Sequence, residues 1–319
     1  MTAPNIVFLD RDTIPDSIVF PPLQADHNWQ EYDFTQPHQV IERLQHADIV
    51  ITNKVVLDAQ VLQQLPRLRA IALTATGMNN VDLDYCQAHN IEVKNVQGYA
   101  TKSVPEHVIG MIFALKRHLF AYHNDIAQGE WQRNKQFCFF THSIGDVAGS
   151  TLGIVGSGSL GQATAVLAKA IGMKVIFSER KGAEQCRAGF VPFESMLQQA
   201  DIVTLHCPLT ANTENLIAQP ELDLMPSHAI LINTGRGGLV NEVDLVASLQ
   251  AGTIGGAGVD VFTQEPADVS NPLLDNQALP NLLLTPHVAW GSHSAIQQLV
   301  ETLMANVESM ITPVSLPEA

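Results

Sequence analysis

Midway along the chain a short apolar run, Gly153-Ile154-Val155, leads into Gly156-Ser157-Gly158-Ser159-Leu160-Gly161 and then into an alanine-rich helical stretch over 162–171. This strand, glycine turn and helix form the opening of a dinucleotide-binding βαβ unit, which commits the segment to a doubly wound parallel sheet. Gly156 permits a tight turn, Gly158 lets the backbone approach a pyrophosphate, and Gly161 allows close packing of helix on strand. The helix N-terminus offers free N–H groups to the phosphates. A second strand over 174–178 and an acid at Glu179, 18 residues after Gly161, complete the unit. The turn comes late, so a whole domain's worth of chain precedes it.

At roughly 150 residues per domain, 319 residues suffice for two domains, and an apolar content of 46% supplies two cores. Lys and Arg number 17 against 32 Asp and Glu, a net charge of −15. Such a surface repels nucleic acid and anionic membrane, so an anionic ligand must be held by local groups. Cys86, Cys138, Cys186 and Cys207 show neither CxxC pairing nor metal-ligand spacing. Free thiols in a reducing compartment, with no bound metal, are expected. The N-terminus lacks a basic region, and the longest apolar run, 108–115, falls short of the roughly 18 residues of a membrane span. The expectation is a soluble, cytoplasmic protein.

Apolar runs at 5–10, 48–52, 69–74 and 91–96 read as strands, separated by helical patterns at 39–45, 58–65 and 82–89. This alternation specifies parallel α/β architecture. Ala47-Asp48-Ile49-Val50 recurs as Ala200-Asp201-Ile202-Val203, and each is followed by a strand ending in Thr-Gly, Thr76-Gly77 and Thr234-Gly235. Both domains are therefore expected to be doubly wound. The stretch 97–101 around Gly98 reads as a hinge. After it, Ser103 and Glu106 form a capping-box pattern opening a nearly all-apolar helix, expected at a domain or subunit interface. Residues 118–149 carry aromatics without clear periodicity and read as an interface arm. A final amphipathic helix spans 294–311, with Pro313 and Pro317 beyond it.

Three strands after the glycine turn end in polar residues, where open α/β sheets bind ligands. The strand 229–233 runs into Thr234-Gly235-Arg236, placing a guanidinium that can grip a carboxylate in two-pronged fashion. Asp260 lies within an apolar run, where a carboxylate needs a partner; it either caps a local turn or faces the nicotinamide end of a cofactor. Glu265 stands just beyond that strand, and Pro286-His287 ends the next. Together these supply what 2-hydroxy-acid oxidation requires. Arg236 orients the substrate, His287 transfers the proton, and Glu265 stabilises the imidazolium.

The ordered set of Gly153 to Gly161, Leu205-His206-Cys207-Pro208-Leu209-Thr210, Asn233-Thr234-Gly235-Arg236-Gly237, Gly258-Val259-Asp260-Val261-Phe262 with Glu265-Pro266, and Thr285-Pro286-His287 resembles the D-2-hydroxyacid dehydrogenases over nearly the whole chain. Asn5 to Arg11 and Ser178 to Ala183 look most like the bacterial glycerate dehydrogenases, or hydroxypyruvate reductases, of that family. The resemblance implies a Rossmann cofactor domain at 99–286 inserted into a flavodoxin-like substrate domain made of 1–98 and 287–319, with the active cleft between them. It implies that Thr76 and Gly77 bind the substrate carboxylate together with Arg236. It also implies cofactor contacts at Thr101, Gly156, Gly158, Ser159, Leu160, Gly161, Glu179, Cys207, Pro208, Thr213, Thr234, Gly235 and Asp260, with Cys207 a small apolar wall. Glu179 can accept from ribose hydroxyls and favours NAD; Arg180 and Lys181 leave NADP use open. The expected activity is NADH-dependent, reversible reduction of hydroxypyruvate to D-glycerate by a homodimer, with glyoxylate a second substrate. Phosphoglycerate dehydrogenase and a nicotinamide-sensing scaffold resembling the C-terminal-binding corepressors are the alternatives.

Overall fold

The computed structural model describes residues 3–311; Pro313 and Pro317 lie outside the described residues. The chain divides into two compact units. One comprises the chain up to Tyr99 together with the stretch from Gly291 onward, and the other runs Ala100–Trp290. The return to the first unit thus falls later than the expected 287. The physical reason is local: the backbone N–H groups of His287, Val288 and Ala289 all bond to Asp260, at 2.7, 2.9 and 3.0 Å.

In the first unit, β1 (Asn5–Phe8), β2 (Asn28–Glu31), β3 (Ile49–Thr52), β4 (Ala70–Leu73) and β5 (Glu92–Lys94) form an all-parallel sheet in the order β2-β1-β3-β4-β5. That is the flavodoxin-like order. β3 and β4 are buried throughout, as continuous apolar runs in a parallel sheet must be. β2 escapes sequence reading because Asn-Trp-Gln-Glu is an edge strand with only Trp29 half-buried. Asp58 and Asp82 cap the helices Ala59–Leu62 and Leu83–Ala88 by accepting from the N–H groups of Val61 and Tyr85, each at 2.9 Å. The last helix, His293–Ile311, belongs to this unit and buries Ile296, Leu299, Leu303 and Val307. Arg69 donates to the Met310 carbonyl at 2.6 Å and Lys94 to the Ser309 hydroxyl at 2.7 Å, fastening its end.

The second unit holds β6 (Thr151–Val155), β7 (Lys174–Ser178), β8 (Phe190–Val191), β9 (Ile202–Leu205), β10 (Ile230–Asn233), β11 (Gly256–Val259) and β12 (Leu282–Leu284), all parallel. Their order, β12-β11-β10-β9-β6-β7-β8, reverses direction between β6 and β9. This is the switch point at which open α/β sheets bind ligands. The apolar helix Ser103–Lys116 packs inside this unit: a Cβ on Gly258 would lie 2.9 Å from the Met111 sulfur. The expected capping box does not form. Lys102 is the N-cap, and the Ser103 hydroxyl donates instead to the Ala289 carbonyl at 2.7 Å. The stretch read as an aperiodic arm contains two helices, Leu119–Ala127 and Glu130–Asn134, and leaves Phe120, Trp131, Phe137 and Phe140 exposed.

The repeated Ala-Asp-Ile-Val does the same work in both sheets. The Asp48 carboxylate accepts from the Asn5 N–H at 2.8 Å, just before β1 is joined to β3, and the Asp201 carboxylate accepts from the Thr151 N–H at 2.7 Å, where β6 is joined to β9. Each aspartate thereby sets the register between the first strand of its unit and the neighbouring central strand.

Candidate active site

The glycine turn leaves the carboxyl end of β6 at the switch point. Gly156 has φ +101°, a left-handed conformation that favours glycine, and a Cβ there would meet the His206 carbonyl oxygen at 2.5 Å. A Cβ on Gly161 would sit 2.1 Å from the Gly156 carbonyl oxygen, so helix Ser159–Ala170 can seat against the turn only without one. A Cβ on Gly158 would meet no atom within 4 Å. The space beside Gly158 is thus open, while the other two glycines are locked by protein. Ser159 is exposed and Leu160 half-buried at the start of that helix. Among the described residues, the hydroxyls of Thr74, Ser178 and Thr234 are buried without a hydrogen-bond partner, each near the carboxyl end of a strand. An open cradle, a helix N-terminus and unpartnered hydroxyls at β7 and β10 fit a bound dinucleotide.

β10, β11 and β12 run parallel to β6 and so end at the same edge of the sheet. Arg236 follows β10, half-buried, on a turn held by the Asn233 side chain, which donates to the Arg236 carbonyl at 2.9 Å and accepts from the Gly235 N–H at 3.1 Å. A Cβ on Gly237 would sit 1.7 Å from the Phe262 carbonyl oxygen. The Arg236 turn therefore lies directly against the loop that carries Glu265. Glu265 Oε2 is 2.7 Å from Nδ1 of His287, and its Oε1 accepts from the Phe262 N–H at 3.0 Å. The two side chains are only 27% and 28% exposed, so they form a partly desolvated pair that leaves imidazole Nε2 outside the contact.

Asp260 is fully buried. Its carboxylate accepts from the Thr285 hydroxyl at 2.5 Å and from the N–H groups of Val288 and Ala289. Of the two roles the sequence left open, the turn cap is thus the one its hydrogen bonds serve, and the loop it caps is the one bearing His287 at φ +55°. His107, unmarked in the sequence, contributes too: its Nε2 lies 3.1 Å from the Thr285 hydroxyl and 3.9 Å from Asp260.

The remaining candidates lie at the same edge or nearby in sequence. Burial pushes the Cys207 thiol up to about 11, which disfavours the thiolate that a nucleophile would need. Pro208 is exposed, and its carbonyl accepts from the Thr213 hydroxyl at 2.7 Å, fixing the loop after β9. Thr101 is half-buried just ahead of helix Ser103–Lys116. Glu179, at the end of β7, is buried and bound by Arg187 through Nε at 2.7 Å and Nη2 at 2.9 Å. Sequence reasoning missed Arg187, since nothing in the loop between them signals the pairing.

In the first unit, Thr76 and Gly77 follow β4; the Thr76 hydroxyl donates to the Val96 carbonyl at 2.8 Å, and the Thr76 carbonyl accepts from the Asn95 side chain. Asp10, a second residue passed over in the sequence, accepts from the N–H groups of Asn53 and Lys54 and from the Thr52 hydroxyl. Burial pushes its carboxyl up, and those N–H groups pull it back. The loop carrying Lys54 is thereby anchored.

Two parallel α/β units, one with a dinucleotide turn at its switch point, define a two-domain dinucleotide-binding protein. The family described as D-isomer specific 2-hydroxyacid dehydrogenase, NAD binding domain, matches residues 109–289. A glycerate dehydrogenase from Methylorubrum extorquens is 46% identical, covering 96% of each chain. A hydroxypyruvate reductase from Blautia hydrogenotrophica is 33% identical over 96% of this chain and 97% of its own. Among solved structures, the TT0316 protein from Thermus thermophilus matches with a TM-score of 0.82 at 28% identity, covering 96% of both chains. The chain belongs to the D-isomer specific 2-hydroxyacid dehydrogenase family, and its cofactor domain is the NAD-binding domain of that family.

Proposed function

We propose that this dehydrogenase reduces hydroxypyruvate to D-glycerate reversibly with NADH, takes glyoxylate as a second substrate, and uses His287 as its proton donor. The observation that carries the reading is the 2.7 Å contact between His287 Nδ1 and Glu265 at the carboxyl edge of the cofactor sheet. A nicotinamide held at the glycine turn would supply or accept the hydride. His287, with Nδ1 committed to Glu265, holds the mobile proton at Nε2 and delivers it to the substrate oxygen in reduction. Glu265 orients the ring through Nδ1 and leaves Nε2 to face the substrate oxygen. Arg236 grips the substrate carboxylate. The names of the relatives from Methylorubrum and Blautia support the choice of substrate.

The test is NADH oxidation followed across hydroxypyruvate, glyoxylate, pyruvate and phosphohydroxypyruvate. Hydroxypyruvate is expected to give the highest kcat/KM, and preference for the phosphorylated acid would reject the assignment. The reading includes a cytoplasmic homodimer joined through the exposed Phe120, Trp131, Phe137 and Phe140. A monomer by light scattering at micromolar concentration would reject that part.

A further inference from the structure

We propose that Arg187 is a specificity-determining residue for the cofactor: it occupies the Glu179 carboxylate and presents its own guanidinium to a 2′-phosphate, so that NADP(H) is accepted beside NAD(H). The inference deepens the dinucleotide reading of the glycine turn and rests on it.

A carboxylate has about four lone-pair directions. In Glu179 each oxygen already takes two donors. Oε1 accepts from Arg187 Nη2 at 2.9 Å and the Arg180 N–H at 3.0 Å; Oε2 accepts from Arg187 Nε at 2.7 Å and the Arg187 N–H at 3.0 Å. A ribose hydroxyl therefore has to displace one of these donors to reach the acid at the end of β7. Arg187 also neutralises Glu179, which removes the repulsion that an unpaired acid there would exert on a 2′-phosphate. The carboxyl is held down at about 2 by the Arg187 side chain and the surrounding N–H groups, so it stays ionised and keeps the guanidinium in place.

The guanidinium is placed to receive an anion. It lies 3.9 Å over the Phe190 ring, which fixes its plane, while its side chain remains 55% exposed. Of its five N–H directions, Glu179 uses two, and the other three are at hand for phosphate oxygens. Lys181 is turned elsewhere, its Nζ 2.8 Å from Glu221. Of the two basic residues that the sequence offered here, Lys181 is thus engaged by Glu221, and Arg187 stands further along the loop.

The experiment is calorimetric titration of the full-length, nucleotide-free enzyme with 5′-AMP and with adenosine 2′,5′-bisphosphate, which differ only in the 2′-phosphate. Wild type is expected to bind the two within about tenfold of each other. Arg187→Ala should weaken the bisphosphate by about tenfold to a hundredfold, the loss of a charge-assisted contact, and tighten 5′-AMP as Glu179 becomes free to accept the ribose. Glu179→Gln, which keeps the guanidinium, should shift the preference toward the bisphosphate, and it serves as the second variant should Arg187→Ala fold poorly. A bisphosphate that binds wild type more than a hundredfold more weakly than 5′-AMP, or a ratio unmoved by either substitution, overturns the role of Arg187 while leaving the dinucleotide reading intact. Failure of both nucleotides to bind wild type overturns both.

Discussion

Glu265→Gln is the substitution that most directly tests the proton chemistry. The carboxylate meets His287 Nδ1 at 2.7 Å and accepts from the Phe262 N–H at 3.0 Å. Glutamine keeps the size and offers a single acceptor oxygen. If that oxygen faces Phe262, the amide NH2 faces Nδ1 and forces the imidazole into the tautomer with its proton on Nε2. If the oxygen faces His287, the NH2 opposes the Phe262 N–H, donor against donor. The first arrangement costs less, since it leaves no buried N–H unpaired. For a charged ring that arrangement sets Nδ1–H against the amide NH2, so the charge-assisted hydrogen bond is lost with no neutral one in its place, a loss of about 1.5 kcal/mol or more, roughly tenfold in rate. Reduction, which needs the charged acid, should fall at least tenfold in kcat. Oxidation of D-glycerate should fall further, by about a hundredfold to ten-thousandfold, because Nε2 already carries a proton and cannot act as base. The assay is kcat and kcat/KM in both directions, with NADH binding measured separately by fluorescence. Equal, small losses in the two directions would refute the tautomer argument, and unchanged kcat in both would show that the proton is handled elsewhere.

Arg236→Ala should raise KM for the keto acid by at least tenfold, the value of a lost charge-assisted pair, with NADH affinity kept; an unchanged KM would remove Arg236 from the substrate site. Gly158→Ala should leave thermal stability unchanged, since its Cβ meets nothing within 4 Å, yet weaken nucleotide binding by filling the cradle. Gly161→Ala, whose Cβ would sit 2.1 Å from a carbonyl oxygen, should lose about 1–3 kcal/mol of stability in denaturant titration; the opposite ranking of the two would contradict the proposed geometry. Burial lowers His206 to about 4 from an ordinary 6.5, so its contribution is complete above about pH 6.5 and is lost as pH falls toward 4, a change of about 3 kcal/mol. A His206→Asn variant should show a flatter decline in stability over that window, and an identical slope would exclude His206 as its source.

Much of the architecture is legible because buried parallel strands must be apolar without interruption. Ile49–Thr52, Ala70–Leu73 and Ile230–Asn233 announce themselves for that reason. The glycine turn is legible because a Cβ collides at Gly156 and Gly161. Edge strand Asn28–Glu31 is hidden because three of its four residues are exposed and no apolar pattern is imposed on it. The capping box at Ser103 misleads because tertiary structure offers the hydroxyl the Ala289 carbonyl and the helix begins after Lys102. Glu265 and His287 are readable as chemistry by residue type and strand-end position, whereas their distance is a product of the loop that Asp260 pins. Arg187 is unreadable, because its pairing with Glu179 depends on a loop that lacks helical or strand periodicity.

The acids at the carboxyl ends of the strands fall into two kinds, and the division bears on function. Asp10 and Asp260 are buried and satisfied by backbone N–H groups and a threonine hydroxyl, with no cation at hydrogen-bond distance among the described residues. Neutral donors stabilise such a carboxylate without the cost of burying a second charge, and each of these acids fixes a loop. Glu179 and Glu265 instead engage Arg187 and His287, both partly exposed side chains. In a chain with 17 Lys and Arg against 32 acids, a basic side chain held at a strand end by a carboxylate has its orientation fixed by that carboxylate. Arg187 keeps three of its five N–H groups outside the pairing with Glu179, and His287 keeps Nε2 outside the pairing with Glu265. The structural acids therefore build the edge of the sheet, and under the proposed function the two paired acids aim the groups that would meet an anion and a proton there.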